Sequence, residues 1–171
     1  MIIVKVVIFS FMVMSVKIMF VLFFQEEDEK LYRMKEAADF IEFLRIYSCT
    51  MKFPLKEIIL KYNFKYQSAK NIFSKLLSSL EQEEENKCSL EEYENYINNE
   101  MQSPKEFNMK LCNIIEFYGT TFSDVLNKKL IFTKNDLDKY INEYEYTYKE
   151  KKGLLNKLAL LIGCLIAIVL I

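Results

Sequence analysis

The sequence predicts an all-α fold: an antiparallel helical bundle domain flanked by an N-terminal and a C-terminal transmembrane helix. Three observations carry that expectation. Ile2 to Phe24 and Leu158 to Ile171 are apolar almost throughout, and every Asp and Glu of the chain lies between them. Only three Gly and two Pro interrupt 171 residues, so little breaks a helix. Within the charged middle, apolar residues recur three and four positions apart, the period of a helix buried on one side.

A bilayer core about 30 Å thick is crossed by roughly 20 apolar residues in helix, and both ends approach that length. Residues 1–24 and 153–171 are therefore expected to anchor the chain, and 25–152 to form one domain large enough to bury its own core. The first anchor is broken only by Lys5, Ser10, Ser15 and Lys17. It reads as retained, because Gln25-Glu26-Glu27-Asp28-Glu29 follows where a small-residue cleavage site would stand. The second anchor is shorter, and Lys157 must extend toward the headgroups. Lys30, Arg33, Lys35, Lys149, Lys151 and Lys152 flank the anchors on the domain side, against Lys5 alone on the other. Basic residues beside a membrane favour the cytoplasm, so the domain is expected there and both termini opposite.

The elements follow in order. From Leu31, the residues Met34, Ala38, Ile41 and Leu44 share one face, while Lys35, Asp39, Glu42 and Arg45 share another. No breaker separates this stripe from the first anchor, so one long helix should stop near Cys49. Pro54 suits the first turn of a short helix carrying Leu55, Ile58 and Ile59. Ala69, Ile72, Phe73, Leu76, Leu77 and Leu80 form the cleanest stripe and require burial. Glu81 to Lys87 reads as a polar, acidic loop. Ser89 and Glu92 have the spacing of a capping box, opening a helix through Tyr93 and Ile97. Ser103, Pro104 and Glu106 repeat that signal for a helix that presents Phe107, Leu111, Ile114, Ile115 and Tyr118 and stops at Gly119. After a short apolar segment around Phe122, Val125 and Leu126, Thr133 and Asp136 open a last helix. It carries Leu137, Tyr140, Ile141, Tyr144 and Tyr148 and continues through Gly153 into the membrane. Short connections favour antiparallel neighbours.

Composition narrows function by exclusion. The domain holds 20 basic against 24 acidic residues, a balance unsuited to nucleic acid, which is bound by neutralising phosphates. There is no His, the commonest general base and a frequent metal ligand. Cys49, Cys88, Cys112 and Cys164 form no C-x-x-C pair and read as lone structural thiols in a reducing compartment. No glycine-rich phosphate loop, nucleophile elbow or paired catalytic carboxylates can be found, so no enzyme, metal or cofactor is expected.

Three features remain. Lys17 is an ionisable group inside an apolar anchor, where function competes with snorkelling or with packing on a partner helix. Glu81, Glu83, Glu84 and Glu85 offer an acidic surface to a partner, against the plainer reading of a solvated loop. Tyr140, Tyr144, Tyr146 and Tyr148 gather before the second anchor, where amphipathic rings suit the interface and pack well. A partner-docking face is the lesser reading of that cluster.

Taken in order, several local sequences resemble the stage III sporulation protein AB family of endospore-forming bacteria. They are Ala37-Ala38 on the first helix, the Pro54-Leu55 turn, and Ile72-Phe73-Ser74 with Leu76 and Leu80. The Ile115-x-x-Tyr118-Gly119 helix end and the run Lys149-Glu-Lys-Lys-Gly-Leu-Leu complete the set, which covers essentially the whole chain. Phe53 stands where the family usually has a polar helix cap, and Thr120 to Val125 lacks a second glycine. The resemblance implies a non-enzymatic membrane platform or scaffold of the mother cell–forespore channel complex, on the mother-cell side of that boundary. It implies a domain similar to the type II secretion system F-domain. Its partners would be other channel subunits, a cytoplasmic secretion-type ATPase and, as an option, further copies of itself. The competing expectation is a membrane-anchored adaptor or sensor unrelated to sporulation. A neighbouring gene for a secretion-type ATPase separates the two.

Overall fold

The computed structural model describes residues 2–81, 88–119 and 122–170, and among these every regular element is helical. The first helix, α1 (Ile2–Arg45), passes into a π-helical turn at Ile46–Thr50. Then come α2 (Leu55–Lys61), α3 (Gln67–Glu81), α4 (Leu90–Met101), α5 (Lys105–Cys112), α6 (Ile114–Phe117) and α7 (Ser123–Leu170). The chain divides into two compact units, one formed by Met1–Glu29 with Glu143–Ile171, the other by Lys30–Asn142. Both α1 and α7 contribute to each unit.

In the Lys30–Asn142 unit, Leu31, Met34, Ala38, Ile41 and Leu44 are all buried, as the period of α1 requires. Phe40 joins them and anchors an aromatic cluster, its ring 4.2 Å from that of Phe73, 4.9 Å from Phe64 and 5.1 Å from Tyr62. Glu36 is also buried, and its carboxylate accepts the backbone N–H groups of Lys65 (2.5 Å) and Tyr66 (2.9 Å). These amides lie just before α3, so a side chain of one helix holds the start of another. On α3, Ala69, Ile72, Phe73 and Leu76 are buried, while Leu77 and Leu80 lie at the margin of the core. The capping box of α4 is formed: Ser89 Oγ accepts from Glu92 N, and Glu92 accepts from Ser89 N, both at 3.1 Å. Tyr93 and Ile97 are fully buried, and the Tyr93 hydroxyl donates to the Ile72 carbonyl at 3.1 Å.

Three boundaries depart from the sequence reading. The helix expected to run from Phe107 to Gly119 is divided at Asn113 into α5 and α6. Ser103 does not cap α5; Pro104 occupies the cap position, and the Ser103 hydroxyl donates instead to Asn108 Oδ1. The fully buried Asn108 amide in turn donates to Asn98 Oδ1 (2.7 Å) and to the Ser103 carbonyl (3.1 Å). Satisfying that buried amide outweighs one exposed cap. The last helix, likewise, does not open at Thr133. It begins at Ser123, because Leu126, Leu130, Thr133, Leu137 and Ile141 form a single buried stripe with no breaker in it. Gly119 adopts φ +86°, as a helix-ending glycine should.

In the other unit the two chain segments run in opposite senses, with Phe24 against Tyr148 and Val13 beside Gly163. A Cβ on Gly163 would stand 3.3 Å from Val13 Cα, so glycine permits a close backbone approach there. Among the described residues, one helix, α1, is long and apolar enough to cross a membrane.

The core assignment is testable. Leu76→Ala should cost about 2–5 kcal/mol, and Leu77→Ala distinctly less, since only the first is fully enclosed. Urea unfolding of a Lys30–Asn142 fragment measures both; a loss below about 1 kcal/mol at Leu76 would place that face outside the core.

Candidate functional site at the charged end of the apolar helix pair

Where the apolar stretch of α1 ends, its acidic run meets the start of the second apolar segment. Asp28 is the centre of this site. Its Oδ1 accepts from the Tyr148 hydroxyl at 2.8 Å, and its two oxygens accept from Lys152 Nζ at 2.9 and 2.7 Å. The Tyr148 oxygen also lies 3.2 Å from the Phe24 carbonyl. One turn along α7, the Tyr144 hydroxyl donates to Glu27 at 2.7 Å. Beneath the ion pair, Lys152 Nζ stands 5.6 Å from the Phe24 ring centroid and 5.3 Å from that of Tyr148. A cation held between a carboxylate and two ring faces has both its charge and its stem accommodated.

The electrostatics follow from this packing. Burial acts to raise the Asp28 carboxyl, but the hydrogen bonds from Lys152 and Tyr148 and the Lys152 charge outweigh it and hold it below the ordinary value. Burial and the hydrogen bond to Asp28 push the Tyr148 phenol well up. The folded site therefore favours ionised Asp28 beside neutral Tyr148. The arrangement is an ion-pair clamp that ties the two segments together.

The residues singled out by sequence fall elsewhere. Glu81 is the exposed last residue of α3, while Glu83, Glu84 and Glu85 lie outside the described residues. Lys17 is exposed on α1. Of the tyrosines, Tyr144 and Tyr148 join the clamp and Tyr146 is exposed, whereas Tyr140 packs on Phe107 in the other unit, ring centroids 6.1 Å apart. Burial pushes the Cys112 thiol up to about 12, and raises Cys49 and Cys88 as well, so these thiols stay protonated. Among the described residues, no group of three or more His, Cys, Asp or Glu side chains is placed to hold a metal ion.

Sequence reasoning missed two features. The first is the pairing of Asp28 with Lys152, although complementary charge runs beside two apolar segments are a visible signal for it. The second is an aromatic face in the Lys30–Asn142 unit. Phe122 is 88% exposed and Phe132 73%, with Val125, Lys128 and Lys129 also exposed beside them. Phe132, Lys128 and Lys129 border an open groove of about 420 Å³ that Lys110 and Phe117 also line. Compared with family models, curated proteins and solved structures, the chain finds no match.

The clamp has a signed pH dependence. A carboxyl held below its ordinary value contributes stability above the unfolded pKa, about 3.9, which is lost as pH falls through the lower folded value. A raised phenol contributes below about pH 10, and that contribution is lost as pH rises through its folded value. Hydrogen exchange near Asp28 and Tyr148, in the detergent-solubilised full chain, should therefore be faster in Asp28→Asn than in wild type at neutral pH. The difference should shrink below about pH 4. Tyr148→Phe should speed local exchange by about fivefold at neutral pH, the equivalent of one lost hydrogen bond of about 1 kcal/mol. Equal exchange in all three proteins would mean that the clamp holds nothing.

Proposed function

We propose that the chain is a non-enzymatic membrane platform. In this reading two transmembrane helices, 1–24 and 153–171, flank an antiparallel helical bundle that lies in the cytoplasm and docks a secretion-type ATPase. Its setting is the mother cell–forespore channel required for endospore formation, as the resemblance to the stage III sporulation protein AB family implies. The observation that carries the membrane part is the outer surface of the helix pair. Phe11, Met14, Ile18, Leu22 and Phe23 are exposed on α1, as are Leu158, Leu161, Leu165 and Ile168 on α7. Contiguous apolar exposure on this scale suits hydrocarbon and not water. The paired charges gather at one end of the pair, where an interface would provide solvation. A helical scaffold fixed at two membrane points can position a motor without performing chemistry.

A second reading, an anchored adaptor unrelated to sporulation, is favoured by the exposed Phe122 and Phe132 face, which suits an apolar segment of some other partner.

Topology is tested by cysteine labelling in intact cells. An impermeant reagent should miss Cys49, Cys88 and Cys112 and reach a cysteine added before Met1; labelling of the native three reverses the orientation. Docking is tested by capture of a co-encoded ATPase on the full chain. Reversing Glu81, Glu83, Glu84 and Glu85 to Lys should weaken capture, and more so near 0.01 M salt, where charges act over about 30 Å. If Phe122→Ser with Phe132→Ser weakens capture and the charge reversal does not, the contact lies on the aromatic face. If the wild-type chain captures no ATPase, the platform reading fails.

A further inference from the structure

The two lysines inside the apolar segments face different problems, and helix direction decides between them. In an α-helix every Cα–Cβ bond tilts toward the N-terminus. Lys157 sits just beyond the charged end of the pair, and its N-terminal direction leads back to Lys152, toward that end. Its tilt therefore helps the ammonium reach water. Lys17 has the reverse geometry. The nearer end of its apolar run is at Phe24, seven residues C-terminal and about 10 Å away at 1.5 Å per residue, and its side chain tilts away from that end. In the direction it does tilt, Val6 is about 16 Å away, beyond the roughly 6 Å span of a lysine side chain.

The fold does not cover this charge. Lys17 is exposed, and so are Met14 and Val21, its neighbours three residues before and four after on α1, with Ile18 exposed at the edge of that face. The second apolar segment packs beside this face without covering it, with Gly163 against Val13 one turn before Lys17. Nor can another copy neutralise it, because neither apolar segment of this chain contains an Asp or Glu. An ammonium in hydrocarbon needs an anionic or strongly accepting partner at its own depth.

We propose that the Met14–Lys17–Ile18–Val21 face of α1 docks a transmembrane helix of a different protein, one that carries a carboxylate level with Lys17. The proposal rests on α1 spanning the membrane and is independent of sporulation and of the ATPase. Lys17 supplies the discrimination between partner helices, and the surrounding Met, Ile and Val supply the packing surface.

The test uses the full chain with a donor fluorophore on a C-terminal tag, reconstituted in phosphatidylcholine vesicles. The probe is a synthetic Leu/Ala transmembrane helix, acceptor-labelled, carrying one Glu a third of the way across, or Gln in its place. Energy transfer should half-saturate at about fivefold lower mole fraction of the Glu helix than of the Gln helix, within the range of measured interhelical polar contacts. Lys17→Met should abolish that preference and Lys17→Arg should keep it. Equal binding of the two probes, or a preference that survives in Lys17→Met, overturns the proposal. So does loss of the preference when a third of the lipid is phosphatidylglycerol, because headgroups then satisfy the lysine. A separate variant, Lys17→Cys, should resist an impermeant maleimide; full labelling from water would overturn the spanning of α1 itself, and the proposal with it.

Discussion

The constraint on which this structure depends is that α1 and α7 each change, along one backbone, from a segment with apolar side chains at its surface to one that buries a single stripe. In hydrocarbon no water satisfies a peptide group, so a crossing segment must close its own hydrogen bonds and can be apolar on every side. In water a helix gains by burying one side only. On α1, Phe11, Met14, Ile18, Leu22 and Phe23 are all exposed and all apolar, the pattern that a crossing segment can carry. The one-sided pattern begins at Leu31, after which buried residues recur at Met34, Ala38, Ile41 and Leu44 while Asp39 stays at the surface. Each pattern is dictated by local sequence. The transition between them is where polar side chains must be satisfied, and Glu27, Asp28, Tyr144, Tyr148 and Lys152 satisfy one another there.

That division also explains what the sequence discloses and what it conceals. The all-helical character, the apolar length of α1, the α3 stripe and the α4 capping box are encoded within windows of a few turns, and each is recovered from spacing alone. Contacts that join distant segments leave no such trace. Glu36 holding the amides of Lys65 and Tyr66, or Arg45 donating to Asn127 at 3.1 Å, depends on which helices become neighbours. The errors have the same origin. Ser103 and Thr133 carry good local signals for helix starts, and in both cases a long-range demand prevails: the buried Asn108 amide in one, the continuous stripe from Leu126 to Ile141 in the other. The exposed aromatic face was hidden for a related reason. Phe122 and Phe132 match a helical period as well as any core residue, and period alone does not say which side is covered.

Burial also disposes of most of the reactive groups. Tyr93 is fully enclosed, its hydroxyl tied to the Ile72 carbonyl, and its phenol is pushed up chiefly by burial. Cys112, its thiol lifted to about 12, behaves as a small apolar filler between α5 and its neighbours. In the Lys30–Asn142 unit these groups serve packing. Charge at the surface is organised instead as ion pairs, such as Lys110 with Asp136 at 2.9 Å and Lys134 with Asp138. Partly exposed pairs of this kind set orientation more than they add stability.

The clamp itself shows why the residue order along the two segments is not interchangeable. Side chains on α1 lean toward the apolar end of the pair, and those on α7, running the other way, lean toward the charged end. Asp28 is short and leans inward; Lys152 is long, lies one turn further into the pair than Tyr148 and leans outward, its Nζ 5.6 Å from the Phe24 ring centroid. The two tilts therefore converge, and the ammonium reaches both carboxylate oxygens while its stem lies along Phe24 and Tyr148. Placing the lysine at 28 and the aspartate at 152 would leave both tilts convergent, because helix direction and not residue type sets them. The long side chain would then carry its ammonium inward to a carboxylate that starts deeper, and the ion pair would form nearer the apolar end, where leaving water costs more. Opposite charge alone does not set the level of this pair; helix direction and side-chain length together do.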